Sequence, residues 1–349
     1  MTSMDHSAAV AADFGLDVVG LRVHIAQQIP EVGELHATLI AGGRSNPTYQ
    51  VTDGDNQWIL RRPPHGLVLE SAHSMQREYR VIQALAGTTV PVPRVVLTCE
   101  DPSVIGASFY LMEQLDGRTI QNREQTEELS EAERHRLTEA VLSTMVALHK
   151  VDPADVGLEE FGRADGFLER QLRRWRTQWN AAHTVDRPEV DALITELAQS
   201  MPTQSRAGLV HGDFKIDNLM VGHSDPGQVV GLLDWEMSTL GDPLTDLGLL
   251  LSYWDEEGQP FHPLSAGMTA LPGFGSRAEL AIRYAESVGL DDMDVIDWYV
   301  SLADLKLAVI FEQIHVRHLQ GQTVGEGHSG MGEMVEPLLV RALHRVRRS

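Results

Sequence analysis

Up to about residue 113 the hydrophobic positions come in short runs separated by turn chemistry. Residues 37–41 (ATLIA) read as a strand and 42–46 (GGRSN) as a tight polar loop. Residues 48–52 resume an extended pattern, 53–56 (DGDN) form a turn, and 57–61 give a further strand. The period then changes. Glu78, Val81, Ile82 and Leu85 fall on one face of a helix over 74–85. Residues 90–95 (VPVPRV) are extended, because each proline disfavours the α region for the residue before it. A strand returns over 108–113, and Asp116-Gly117 marks a break.

Beyond that break the helical period dominates. Ser130 and Glu133 have the spacing of a capping box, opening a helix that runs to His149 with Leu137, Val141 and Leu148 on its apolar stripe. Residues 165–200, with Phe167, Trp175 and Trp179, also read as helical, and 292–320 as one long helix. Between them, 209–235 holds short strands and loops. Residues 1–35 read as a helical lead-in, and the glycine-rich stretch 321–332 as loose chain. The expected class is therefore α+β in two lobes. Residues 1–116 form an antiparallel sheet with a helix, 118–349 a mainly helical lobe, and a hinge falls at about 113–117.

Composition narrows this only a little. At about 150 residues per domain, 349 residues suit two lobes. No apolar run approaches the roughly 18 residues of a membrane span, and the first residues lack a basic start with a long apolar segment. The single cysteine, Cys99, excludes an intrachain disulfide framework. A cytoplasmic location and no membrane partner are expected. With 28 basic and 50 acidic residues, the net charge of −22 argues against a nucleic-acid partner. Steering of a cationic substrate fits that charge, and ordinary solubility fits it better.

The chemistry is concentrated in LVHGDFKIDNLMV (209–221) and VVGLLDWE (229–236). Asp213 and Asn218 have the Asp-x-x-x-x-Asn spacing of a kinase catalytic loop, in which the aspartate takes a hydroxyl proton and the asparagine holds Mg²⁺. Asp234 follows a short apolar strand, where kinases carry a second metal-binding aspartate. Phosphoryl transfer needs such a set, because its loose transition state is stabilised by positioning and charge neutralisation.

These two segments resemble the aminoglycoside phosphotransferase and choline kinase superfamily. They are most like the branch found as the kinase-like domain of acyl-CoA dehydrogenase family members 10 and 11. GGRSNPTYQV, WILRRPP, SAHSMQREYRVIQAL, VPVPRV and VIGASFYLMEQLDGR extend the resemblance over roughly residues 35–320. It implies a bilobal protein-kinase-like fold, ATP and Mg²⁺, and a small-molecule hydroxyl acceptor. It makes Asp213 the catalytic aspartate and Asn218 and Asp234 the Mg²⁺ ligands. Glu78 becomes the partner of a phosphate-binding cation.

That cation is usually lysine in the superfamily; here the strand carries Arg61 and Arg62, and strand alternation favours Arg61. Gly43 and Ser45 belong to a phosphate loop that matches neither glycine fingerprint. Residues 112–115, with Glu113 and Leu115, form the adenine-binding hinge, leaving ATP or GTP to family habit. His211, Asp242 and Asp246 are expected to brace the loop. Tyr253, Trp254, Lys306 and Arg317 read first as packing or surface.

The acceptor is either a hydroxylated acid or hydroxyacyl thioester, or an aminoglycoside. Basic and aromatic residues in 170–176 and 306–317 favour the first. A non-catalytic nucleotide-binding scaffold is the alternative from another class, and a homodimer is a candidate assembly. A protein kinase is disfavoured, because no Ala-Pro-Glu segment follows Asp234.

Overall fold

The computed structural model describes residues 16–40, 46–63, 70–204, 206–321 and 330–348. Its contacts divide the chain into two compact units, Met1–Asp116 with Asp234–Glu236, and Gly117–Leu233 with Met237–Ser349. The chain first passes from one unit to the other at Asp116–Gly117. The segment Asp234–Glu236, expected in the second lobe, groups with the first unit. The reason is local: Asp234 meets Arg61, and Glu236 accepts from the amide of Asn46 at 3.4 Å.

In the first unit, strands His36–Leu39 (β1), Thr48–Thr52 (β2), Gln57–Arg61 (β3), Val95–Cys99 (β4) and Phe109–Glu113 (β5) form one sheet in the order β1-β2-β3-β5-β4. All neighbours are antiparallel. Alternation along the strands sends Val51, Leu60 and Leu111 into a core with Leu21 and Ile25 of helix α1 (Val18–Ile25). Helix α2 (Glu70–Leu85) starts earlier than expected and buries Glu78, Val81, Ile82 and Leu85. β4 begins where the VPVPRV reading stopped. The lead-in 1–15 and the loop 41–45, with Gly43 and Ser45, lie outside the described residues.

The second unit holds two small antiparallel ribbons. One joins Arg118–Thr119 (β6), Leu219–Val221 (β8) and Val229–Leu232 (β9); the other joins Gly208–Val210 (β7) and Thr239–Gly241 (β10). Around them run helices Arg123–Glu127 (α3), Glu131–Lys150 (α4), Phe167–Ala181 (α5), Pro188–Gln199 (α6), Leu244–Tyr253 (α7), Arg277–Val288 (α8), Ile296–Leu319 (α9) and Val335–Val346 (α10). The capping box at Ser130 and Glu133 forms as its spacing predicts.

The long helix α9 is buried nearly all round from Ile296 to Phe311 and packs against α7 and α10. Gly248 makes the α7 crossing possible, since a Cβ there would meet the Tyr299 backbone at 2.6 Å. Most of the glycine-rich stretch, 322–329, lies outside the described residues. Among the described residues no helix is long and apolar enough to cross a membrane.

Candidate active site

In the first unit the site is built on the end of β3. Arg61 Nη1 lies 2.9 Å from Glu78 Oε1, and Nη2 lies 3.6 Å from Asp234 Oδ1. Strand alternation turns the neighbouring Arg62 the other way. It is fully buried, and its Nε and Nη1 donate to the carbonyls of Pro63 and Ile105. Burial alone would lower the Arg61 pKa, but Glu78, Tyr110, Asp234 and Glu236 outweigh it and hold the guanidinium charged. Burial pushes Glu78 up to about 7, against the pull of Arg61. Burying the pair without a charge partner on either side would be costly, so each member requires the other.

Asp234 has φ of +66°, a left-handed backbone rarely adopted by a residue with a side chain. Its Oδ1 is buried and, among the described residues, makes no hydrogen bond, only the 3.6 Å ion contact to Arg61. A strained backbone that aims an unsatisfied carboxylate oxygen has the chemistry of a cation ligand. Glu113, on β5, accepts from the Arg94 N–H at 2.8 Å, and Leu115 is half-buried just before the chain leaves the unit.

In the second unit the catalytic-loop sequence follows β7 and is fixed from beneath. Asp246 Oδ2 and Oδ1 accept from the backbone N–H groups of His211 and Gly212, at 2.7 and 2.8 Å. Asp246 also accepts from His149 Nε2, at 3.2 Å, and His149 Nδ1 accepts in turn from the Tyr284 hydroxyl at 2.7 Å. His211 Nε2 donates to Leu233 O, and its Nδ1 accepts from the Asp213 N–H. Gly212 has φ of +83°, and a Cβ there would fall 2.5 Å from Met237 O, so the turn before Asp213 requires glycine.

Asp213 thus projects from a backbone with little freedom. Asn218 Nδ2 donates to its Oδ2 at 3.0 Å and to its carbonyl at 2.7 Å, which leaves Asn218 Oδ1 as the amide's acceptor, without a hydrogen bond among the described residues. Lys215 Nζ lies 3.4 Å from Asp213 Oδ2 and 3.3 Å from Asp217 Oδ2, and sits over the Tyr253 ring. Lys306, from α9, donates to Gly212 O. Burial would raise the Asp213 carboxyl, but Lys215, Lys306, His211 and the Asn218 amide hold it below the usual carboxylate range. Asp213 is therefore ionised at neutral pH.

Beside the loop opens a small pocket of about 50 Å³. Lys215, Asp217 and Tyr253 line its polar end, and Leu250, Trp254, Leu264 and Met268 its apolar walls. The chain from His262 to Thr269 that forms one wall is wound around the buried Asp255 carboxylate. That carboxylate accepts from the N–H groups of His262 and Gly267 and from Ser265 Oγ at 2.6 to 2.8 Å.

Of the residues set aside as packing, Lys306 and Tyr253 adjoin the loop, while Trp254 is buried with its indole bonded to Gly275 O. Arg317 is exposed and, among the described residues, bonds only within its own helix. Lys215 was missed altogether; its place two residues after Asp213 was the available signal. Among the described residues no three His, Cys, Asp or Glu side chains converge on a metal site.

The profile of a family described as "Phosphotransferase enzyme family" matches residues 36–298. Acyl-CoA dehydrogenase family member 10 of Mus musculus is 34% identical over 301 residues, covering 85% of this chain and 28% of that protein. Acyl-CoA dehydrogenase family member 11 of Gallus gallus is 33% identical over 326 residues, covering 90% of this chain and 41% of that protein. The chain thus spans less than half the length of these relatives. A solved structure from Ralstonia eutropha JMP134, assigned to the aminoglycoside phosphotransferases, superposes with a TM-score of 0.83 at 29% identity, covering 95% of this chain and 99% of the other.

Proposed function

The chain belongs to the phosphotransferase enzyme family, and on that footing we propose that it transfers the γ-phosphate of ATP, with Mg²⁺, to a hydroxyl of a small hydroxylated acid or hydroxyacyl thioester. The observation that carries this reading is the ionised Asp213 carboxylate, fixed by Asn218 on a loop whose backbone is pinned by Asp246. A positioned carboxylate accepts the acceptor's hydroxyl proton as that oxygen bonds to the γ-phosphorus and the bond to the ADP oxygen breaks. Asp213 then releases the proton to solvent. Lys215 and Lys306 keep Asp213 ionised in the resting enzyme.

Asp234 and Asn218, each with an Oδ1 that makes no hydrogen bond among the described residues, suit hard-cation chemistry, and each is assigned to Mg²⁺. Bound Mg²⁺ supplies neutralisation of the phosphate charge. Arg61, held by Glu78, is assigned to the phosphates, and the stretch with Glu113 and Leu115 to the adenine edge.

The pocket beside Lys215 supports the acceptor class. Asp217 is its one lining carboxylate among the described residues, and that carboxylate is already paired with Lys215. A polycationic aminoglycoside needs several unpaired acids; an acyl chain ending near a lysine needs the apolar walls found there. The test is an ATP-consumption screen with hydroxy acids, their thioesters and kanamycin. Turnover with the acids or thioesters is expected, and phosphorylation of kanamycin alone would overturn the acceptor assignment.

A further inference from the structure

A second pocket, of about 890 Å³, lies among residues 259–263, the start of α8 and helix α10. It shares none of its lining residues with the pocket beside Lys215. Four arginines line it: Arg277 from α8, Arg341 and Arg345 from α10, and Arg348 just beyond. Arg341 and Arg345 are committed to one carboxylate, that of the buried Asp304. Arg277 is not so matched. Its Nε donates to Trp254 O at 2.5 Å and lies 3.9 Å from Glu256, while its Nη2 is buried with no hydrogen-bond partner among the described residues. Arg348 is exposed and makes no ion pair among the described residues.

The carboxylates on the wall do not answer this demand. Asp297 faces Arg345 at 3.6 Å and Glu336 faces Arg187 at 3.3 Å, which among the described residues leaves Glu333 as the uncommitted acid. A buried cationic N–H without an acceptor is costly and calls for an explanation, commonly an ion or water that belongs there. Crowding by Arg341 and Arg345 adds to it: after burial, they lower the pKa of Arg277, a repulsion that an entering anion would relieve. The rim is apolar, with Phe261 44% and Val340 53% exposed. Guanidinium groups match the planar or trigonal oxygens of carboxylate and phosphate.

We propose that this pocket binds a small organic anion, its phosphate or carboxylate head on Arg277 and Arg348 and its apolar body against Phe261 and Val340. The site stands apart from the transfer reaction and does not depend on it. The probes are phenyl phosphate, benzoate and inorganic phosphate, titrated by calorimetry into the whole chain saturated with Mg²⁺ and a non-hydrolysable ATP analogue. Phenyl phosphate or benzoate should bind one to one, the tighter of the two naming the head group, and inorganic phosphate more weakly. Arg277→Gln should weaken binding by about tenfold or more, the worth of one charge-assisted hydrogen bond. Arg348→Ala, at an exposed position, leaves the fold intact and should weaken it severalfold. That variant decides the matter if Arg277→Gln fails to fold. No binding of either aromatic probe, or affinities unchanged in Arg348→Ala and in a folded Arg277→Gln, would overturn the proposal.

Discussion

An arginine at position 61 does what a lysine could not: its fork reaches Glu78 and Asp234 at once, on separate nitrogens. Arg61→Lys should therefore keep the contact to Glu78 and lose that to Asp234, weakening ATP affinity less than Arg61→Ala. Arg61→Ala leaves Glu78 buried alone and should also destabilise the fold by about 3–5 kcal/mol, the cost of breaking a buried pair. Arg62→Ala should destabilise too, through the lost bonds to Pro63 and Ile105, yet leave ATP affinity near that of the parent. Calorimetric ATP titration beside thermal unfolding separates the three, and equal ATP affinities in Arg61→Ala and Arg62→Ala would count against the assignment. The contact of Arg61 with Glu78 was legible because strand and helix periods each point one way. The bridge of Lys215 between Asp213 and Asp217 was not, since no local period says how a loop side chain turns back.

At the scale of elements, local signals located the structure where they were followed. Ser130 with Glu133 marked α4, and Ser276 with Glu279 forms the same box at α8, an unread signal of equal strength. The two prolines mark only the extended chain before β4, and the strand itself begins at Val95. The winding of the loop around Asp255 had no sequence signal, because its bonds reach residues 7, 10 and 12 positions on, at no helix or strand period.

Asp255→Ala removes three hydrogen bonds from that loop. It should speed hydrogen exchange over 256–268 and raise the acceptor KM severalfold, with ATP affinity held; unchanged exchange there would refute the loop's dependence on this carboxylate. His262, in the same loop, is buried and its pKa falls to about 3, first through burial and then through Arg341. Asp304 opposes that fall, while Arg277 and Lys215 add to it. A depressed folded value means that stability is full above the unfolded pKa near 6.5 and is lost as pH falls toward 3. The loss should run at up to about 1.4 kcal/mol per pH unit. Urea unfolding between those limits should show this slope reduced in His262→Asn; identical slopes would exclude His262 as its source.

For the whole molecule, the α+β class and the family were legible from one contiguous stretch of chemistry, because Asp213, Asn218 and Asp234 sit at fixed spacings around short apolar strands. The grouping of Asp234–Glu236 with the first unit was not, because it depends on Arg61 and Asn46, far away in the chain. The net charge of −22 says little about the acceptor, since the pocket beside Lys215 carries one paired acid. What the account stands on is Asp213 as the proton acceptor in phosphoryl transfer. The direct test pairs ATP affinity with turnover in Asp213→Asn, on the best acceptor from the screen. The amide is nearly isosteric and can still meet Asn218, so fold and ATP binding should persist while turnover falls by roughly 10²–10⁴-fold. Turnover near that of the parent, in a variant that binds ATP normally, would contradict the account.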